Sequence, residues 1–507
     1  MEPIQNPFES YTGANSLRSP RSLKLYFAIL LTLAWVISSN GLSIGVILLV
    51  APFVFFYLFM FFKFPQLGLY TMVFLGFILL GLNRYVKGIQ GGMIMDGVFA
   101  LSYISLFFKN YYTRVDWKPA AKDITALAAI WAAYGAFGFF NPELVSTEAY
   151  FATVRGVSFY MLLMVPLALM LLNTNKHVDA FFVLWGILSI LATTKGLWQL
   201  YVRPDPWEQA WLDAGAYTNH IVFGKLRVFS FLSDAGQFGA NQAYTGVVFL
   251  ILASGTKNRN RKIFYIITGL LGIYGMFISG TRGAITVPFA GFLLYSIIRK
   301  KFNITISVMT FLVIAYVFFK FTSIGQNVDQ IRRMRTAFDP NDKSFQLRLS
   351  NQKKMKLYLA TRPFGGGIGH AGSKALKYLP YSFLANTATD SWYVMIWAEQ
   401  GIVGLVLHLF ILFYIIIKAS YYIMVKIRDP ILKIKMTALV CGMMGIMVAA
   451  YGNAVLGAFP TGMMIYISMA WLTNPLILDT PQGNDPASGS LPETVNGTLL
   501  PASSNRD

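Results

Sequence analysis

Residues 390–418 read DSWYVMIWAEQGIVGLVLHLFILFYIIIK, and residues 361–370, upstream, read TRPFGGGIGH. The first run is apolar and long enough to cross a bilayer, for which about 20 residues suffice. It opens on a carboxylate, Asp390, and carries Glu399, Gly401 and Gly404. Ahead of it lie a polar, basic run over 344–362 and a glycine cluster, Gly365, Gly366, Gly367 and Gly369, that ends at His370. The polar half belongs in water and the apolar half in lipid. A glycine-rich turn can bring its backbone close to a ligand because no Cβ intervenes. The stretch 344–404 therefore reads as the lip of a site at a membrane surface.

Composition supports that setting. The chain has 507 residues, 55% hydrophobic and only 13% charged, where soluble domains carry about 25% charged residues. Apolar runs recur along the whole length. The expected fold is an all-α polytopic transmembrane helical bundle of about 14 spans, at roughly 24–39, 43–62, 67–83, 91–108, 123–140, 156–173, 178–199, 236–254, 263–280, 283–298, 303–320, 389–417, 434–455 and 460–473. Net charge is +20. The cations are dispersed among the spans, which fits loop topology and argues against nucleic-acid binding. A lone Cys441 gives no disulfide framework. The four histidines, His177, His220, His370 and His408, are scattered without metal-ligand spacing, so neither a metal nor a cofactor is expected.

The chain divides into five parts. Residues 1–23 are a polar tail with Arg18 and Arg21 and no evident cleavage site. A bundle over 24–320 follows, interrupted by a loop near 200–235. The long loop 321–388 reads as two short amphipathic helices, near 328–338 and 345–359, around the break Asp339-Pro340. Helices over 389–473 return to the membrane. From 474 to 507 the chain is rich in Pro, Gly, Ser, Asn and Thr and is expected to be a disordered tail. Short loops around 109–122, 257–262, 299–301 and 418–435 hold more Lys and Arg than the short loops that alternate with them, which puts both termini and these loops in the cytoplasm. The loops near 200–235 and 321–388 then lie outside.

Charged groups at span ends are functional candidates. On the outer face they include Arg155, at the start of the sixth span, and Arg227, before Phe229-Ser230-Phe231. Arg282 sits in the tight turn Ser279-Gly280-Thr281-Arg282-Gly283-Ala284, and Arg348 in the long loop. Four guanidiniums on one face suggest an anion site, because Arg forks onto phosphate oxygens. Each also has a plainer role, as a snorkelling residue or a solvated helix face. Asp96, Lys195 and His408 fall inside spans, where intramembrane pairs are expected. The plainer role of Asp390 is to cap the helix that follows.

With those residues in hand, the pattern over about 225–405 resembles the O-antigen ligase and O-antigen polymerase family of bacterial membrane glycosyltransferases. Asp390-Ser391, then nine residues, then Gly401-Ile402-Val403-Gly404, is similar to the ligases' spacing, with Asp390 standing where the ligases carry their catalytic His. Arg227-Val228-Phe229 with Asn241, the Ser279–Ala284 turn, and Arg348 through the Gly365–Gly369 cluster resemble the family's remaining motifs in order.

The resemblance implies an inverting, metal-independent glycosyltransferase of the bacterial inner membrane. It would take a glycan from a polyprenyl diphosphate such as undecaprenyl diphosphate and pass it to a lipid or glycan acceptor at the periplasmic face. That chemistry belongs to surface polysaccharides such as lipopolysaccharide. Arg227, Arg282 and Arg348, with Arg155, would meet the diphosphate. Asp390 would be the base by position, with His370 its competitor, the better base by its ordinary pKa of ~6.5 against ~3.9. Ligase and polymerase both stay open. The rival reading is a transporter or flippase of lipid-linked glycans or anionic solutes. The absence of matched broken helices in an internal repeat argues against it.

Overall fold

A computed structural model describes residues 20–478 apart from 41, 87, 89, 90, 223, 301 and 373. The expected tails fall largely outside the described residues. The described chain is helical, with one two-residue hairpin. Its first half runs through α1 (Pro20–Asn40), α2 (Leu42–Lys63), α3 (Gln66–Leu82), α4 (Gly91–Thr113), α5 (Asp123–Phe137), α6 (Thr147–Val154), α7 (Tyr160–Leu171) and α8 (Asn175–Tyr201). A π-turn over Arg155–Phe159 joins α6 to α7. Two short helices, α9 (Pro206–Trp211) and α10 (Tyr217–His220), and the strands β1 (Ile221–Val222) and β2 (Lys225–Leu226) fill the loop after α8.

The second half holds α11 (Ala235–Gly255), α12 (Arg259–Ile278), α13 (Thr286–Arg299) and α14 (Phe302–Phe321). Outside the bundle follow α15 (Asp329–Arg335), α16 (Lys343–Leu359) and α17 (Phe383–Asn386). The chain then re-enters through α18 (Trp392–Tyr421), α19 (Pro430–Ala449) and α20 (Thr461–Thr473). A helix lies at each of the fourteen expected positions. Eight described helices are long and apolar enough to cross a membrane, and three shorter apolar segments lie in α1, α3 and α14. The protein is a multi-pass membrane protein.

The bundle is built around α11, which is buried on nearly every side. Its sequence is too polar to face lipid, and its polar groups are consumed internally. Gln242 Oε1 accepts from Ser189 Oγ at 2.8 Å and Thr193 Oγ1 at 3.2 Å, and Trp185 Nε1 donates to Thr245 Oγ1 at 2.9 Å. Polar side chains between helices act in this way as glue where water is absent. Small residues let α12 approach: a Cβ on Gly272 would lie 2.7 Å from the Gly246 backbone nitrogen. The intramembrane pairs expected for Asp96, Lys195 and His408 are present. Asp96 meets Arg155, Lys195 meets Asp205 and Glu208, and His408 Nε2 accepts from Trp392 Nε1 at 2.9 Å.

One helix is broken. At 30 residues and ~1.5 Å per residue, an unbroken α18 would span about 45 Å, more than a hydrocarbon core of about 30 Å. Gly401 interrupts it with φ 70° and ψ −171°, a region open essentially to glycine alone. The carbonyls just before the break all find donors. Ala398 O accepts from Gly366 N at 2.8 Å, Glu399 O from Gly367 N at 3.1 Å, and Gln400 O from Tyr134 Oη at 2.7 Å. A Cβ on Gly401 would sit 1.9 Å from the Pro363 carbonyl oxygen. The glycine cluster is therefore a plug that supplies the hydrogen bonds a membrane interior demands.

Two outcomes test this architecture. Asn258 and Ser350 are exposed at opposite ends of the bundle, and the native Cys441 is buried. In intact, outer-membrane-permeabilised cells, an impermeant thiol reagent is expected to label Ser350→Cys and spare Asn258→Cys; the reverse pattern inverts the orientation. Gly401→Ala is expected to cost about 2 kcal/mol or more, read as a lowered melting temperature with faster proteolysis of the 361–372 loop. A melting curve superimposable on the parent's contradicts the plugged break.

Candidate active site at one end of the bundle

The helices alternate direction, so one set of loops collects at one end. These are 83–90, 138–146, 202–234, 279–285, 322–391 and 450–460, and they are tied to one another by polar contacts. The buried Arg84 donates to the carbonyls of Ser230, at 2.8 Å, Leu232 and Ser233. Its guanidinium lies over the rings of Trp211 and Phe229, 4.5 and 4.3 Å from their centroids. That clamp shapes the 227–234 segment, in which Ser230 takes a positive φ of 53°. Glu143 pairs with Arg362 at 2.9 Å and binds the 138–146 turn to the long loop.

Three arginines from three elements meet at the turn between α12 and α13. Arg227 donates to Asn219 O at 3.0 Å and Thr281 Oγ1 at 3.3 Å. Arg282 donates to Thr336 Oγ1 at 3.2 Å and pairs with Asp342 at 2.7 Å. Arg333, from α15, packs its side chain against Gly280, where a Cβ would meet its Cδ at 3.2 Å. Burial, then the like charge of Arg282, lowers the Arg227 pKa below its ordinary value. Burial and the charges of Arg227 and Arg282 push Arg333 down to about 9. The Nε atoms of Arg227 and Arg333 are buried without a hydrogen-bond partner among the described residues. Against these cations stands Asp342. Burial opposes its ionisation, but hydrogen bonding and charge from Arg282 outweigh that and hold its carboxyl below the usual range. Buried like charges this close create a standing demand for an anion.

Asp390 lies along the same helix from this cluster. Asp342 caps α16 by accepting from Phe345 N at 3.0 Å. Six residues on, about 9 Å along a helix, Arg348 Nε donates to Asp390 Oδ2 at 3.1 Å. One helix thus carries a partner for Arg282 at its start and a partner for Asp390 two turns later. Asp390 is half exposed, with φ 41°. It is not the cap of α18: that role falls to Ser391, which accepts from Val394 N at 3.4 Å. Its positive φ turns the Asp390 side chain off the helix axis and toward α16. Ser391 Oγ and Trp392 N both donate to Ala450 O, and Gly283 abuts Asn453. The 450–460 loop thus bridges the Asp390 and Arg282 turns.

Two other predicted residues are held differently. Arg155 pairs with Asp96 at 2.5 Å, and Tyr160 Oη donates to the other Asp96 oxygen at 2.8 Å; no contact joins it to the other arginines. His370 is buried, and its pKa is lowered by that burial. Its Nε2 accepts from both Val145 N and Ser146 N at 3.1 Å, and its Nδ1 lies 3.1 Å from Ile368 O. This assigns the proton to Nδ1 and leaves no free lone pair. His370 fastens the glycine loop to the 138–146 turn.

Sequence reasoning missed Arg333, Asp342, Arg84 and Glu399. Arg333 sits in the run Arg332-Arg333-Met334-Arg335, where nothing but packing distinguishes one Arg from the next. Glu399 is buried beside the helix break, with Oε1 accepting from Ala371 N at 3.4 Å. An apolar groove of about 400 Å3, lined by Gly283, Thr286, Tyr393, Phe413, Met444, Val448 and Tyr451 among others, opens next to the Arg282 turn. Phe413 and Val448 also face outward from the bundle.

Residues 267–409 match the family model described as O-antigen ligase. The match contains Arg282, Arg333, Arg348, His370 and Asp390, and leaves Arg155 and Arg227 outside. Among curated proteins, none matches the chain. Through residues 267–409, which take in the long loop and the first part of the re-entering helix, this multi-pass helical membrane protein is similar to the O-antigen ligase family.

Proposed function

We propose that this protein is an inverting glycosyltransferase that transfers or polymerises glycan from a polyprenyl-diphosphate carrier, at the membrane surface where the arginines converge. One observation carries the reading: Arg227, Arg282 and Arg333 meet around a single turn, and α16 links that turn to Asp390. In the reaction an acceptor hydroxyl attacks the anomeric carbon, the bond from that carbon to the diphosphate oxygen breaks, and its electron pair stays with the diphosphate. The growing negative charge needs preorganised cations. The three guanidiniums, with Asp342 and Asp234 as the carboxylates that act on them, supply such cations. The apolar groove beside Arg282 suits the carrier's hydrocarbon chain and leads from the lipid face to the cations.

The attacking hydroxyl must lose a proton. Asp390 is exposed enough to reach an acceptor, whereas protonating His370 at Nε2 would sacrifice two backbone hydrogen bonds. That favours Asp390 as base. Its pairing with Arg348 fixes its direction. The site end would face the periplasm of a bacterial inner membrane, with the Lys/Arg-rich loops in the cytoplasm. The acceptor would be a lipid or another glycan of the cell surface. The rival reading is a transporter or flippase of lipid-linked glycans or anionic solutes, and the broken α18 is the feature that favours it. The glycine plug, which occupies the break with the protein's own backbone, weighs against it.

The test is turnover of a polyprenyl-diphosphate-linked glycan by the purified protein. Arg282→Lys, Arg333→Lys and Arg227→Ala are each expected to lower the rate about 100-fold or more at normal protein levels. Parent-like rates in all three remove the diphosphate site. Asp390→Asn, nearly isosteric, is expected to lose about 100-fold to 10,000-fold. His370→Gln is expected to lower the melting temperature while the folded protein keeps its turnover. Full turnover by Asp390→Asn, with loss in His370→Gln, moves the base to the glycine loop.

A further inference from the structure

At the end of the bundle opposite the arginine turn, a few basic side chains have acidic partners. Lys435 and Arg261 share Asp179 at 2.6 and 3.1 Å, and Lys418 pairs with Asp123. Among the cations with no such partner, three gather at one place. Arg299 and Lys300, at the end of α13, and Lys433, in the first turn of α19, form no ion pair among the described residues. They line one cavity of about 320 Å3 together with Ile298, Met424 and Thr437. The Nε of Arg299 is buried there without a hydrogen-bond partner. The Thr437 hydroxyl is spent on its own helix, donating to Lys433 O at 2.7 Å. The cavity is at the small end of ligand pockets, which run from about 300 to 1,000 Å3.

We infer that this cavity binds the phosphate-bearing headgroup of an anionic phospholipid. Phosphate is the chemistry that meets a forked guanidinium and two ammonium groups at once. Basic pockets between transmembrane helices at the cytoplasmic boundary take anionic headgroups for this reason. Membrane lipid is favoured over free phosphate by the flanking surface. Ile298 and Met424 line the cavity, and their neighbours Ile297 and Val425 are 57% and 62% exposed on the outward face. A headgroup seated among the cations would lay its acyl chains along these side chains. Asp429, the acidic residue four positions before Lys433, is turned to the α19 cap, accepting from Ile431 N and Leu432 N.

The experiment titrates the purified full chain in detergent with dioctanoyl phosphatidylglycerol, dioctanoyl phosphatidylcholine and inorganic phosphate, and reads bound lipid by native mass spectrometry. A site here predicts one tight phosphatidylglycerol, with phosphatidylcholine and inorganic phosphate each at least tenfold weaker. Each cation near the surface contributes roughly fivefold to that affinity. Lys300→Gln and Lys433→Gln are each expected to lose about that much, and Arg299→Gln with Lys433→Gln about 25-fold. Lys257→Gln, an exposed charge in another loop at the same end, and Arg282→Lys at the opposite end are expected to bind as the parent does. Melting curves without lipid verify folding; should the double variant not fold, the two single Lys variants decide. Equal affinity for phosphatidylcholine makes the contact purely apolar and overturns the inference. Equal affinity for inorganic phosphate makes it a free-anion site and overturns the lipid. Loss in Arg282→Lys with retention in Lys300→Gln and Lys433→Gln moves the bound lipid to the arginine turn.

Discussion

The ion pair between Arg282 and Asp342, at 2.7 Å, is the contact on which the site depends. It joins a two-span turn inside the bundle to a helix outside it. The segment 322–391 is also held by the Glu143–Arg362 pair, the Arg282–Thr336 hydrogen bond and the glycine plug. With the Arg282–Asp342 pair, α16 starts at a fixed point, and helix geometry carries Arg348 to Asp390 without further adjustment. The pair also sets the charge balance. Asp342 pairs with Arg282 and also acts on Arg333, while Asp234 acts on Arg227; burial still lowers the pKa of Arg227 and Arg333. Breaking such a pair leaves an uncompensated charge, which costs far more than the pair itself contributes.

A second constraint is the bilayer's refusal of unpaired backbone groups. It explains why the long loop does not simply float. α18 is broken at Gly401, and every carbonyl before the break needs a donor. The glycine cluster supplies two of them and Tyr134 a third. His370 and Asn141 then lock the cluster to the 138–146 turn; Asn141 donates to Phe364 O and Gly365 O at 3.1 Å. Glycines that read as a ligand cradle are, in the folded chain, the seal of a helix break. The same contacts that repair the membrane helix hold the far end of the long loop, so the loop is anchored at the arginine turn and at the plug.

The two ends of the bundle handle charge differently. At the site end Arg227, Arg282 and Arg333 are gathered around one turn. At the opposite end Asp179 and Asp123 pair with Lys435, Arg261 and Lys418, and Arg299, Lys300 and Lys433 share a pocket. α13 runs from one region to the other, beginning beside Arg282 and ending at Arg299. A 14-residue helix spans about 21 Å.

The sequence by itself determined the membrane-spanning class and the helix positions. Apolar runs and loop charges are local properties, and the bilayer imposes one solution on them. Arg227 and Arg282 were legible because a charge beside a tight turn between spans has few other reasons to be there. The two amphipathic helices around Asp339-Pro340 were legible because their pattern and break are local too. What only the tertiary structure decided is which side chains meet. Arg333 is one Arg in a run of three, and packing of Met334 against the bundle, 0% exposed, selects it. His370 looked available until two backbone N–H groups from 225 residues away occupied its lone pair. Arg155 looked like a fourth ligand until Asp96, on another helix, took it. Asp390 looked like a cap until its positive φ passed that role to Ser391. In each case the deciding partner is distant in sequence, and no local pattern records it.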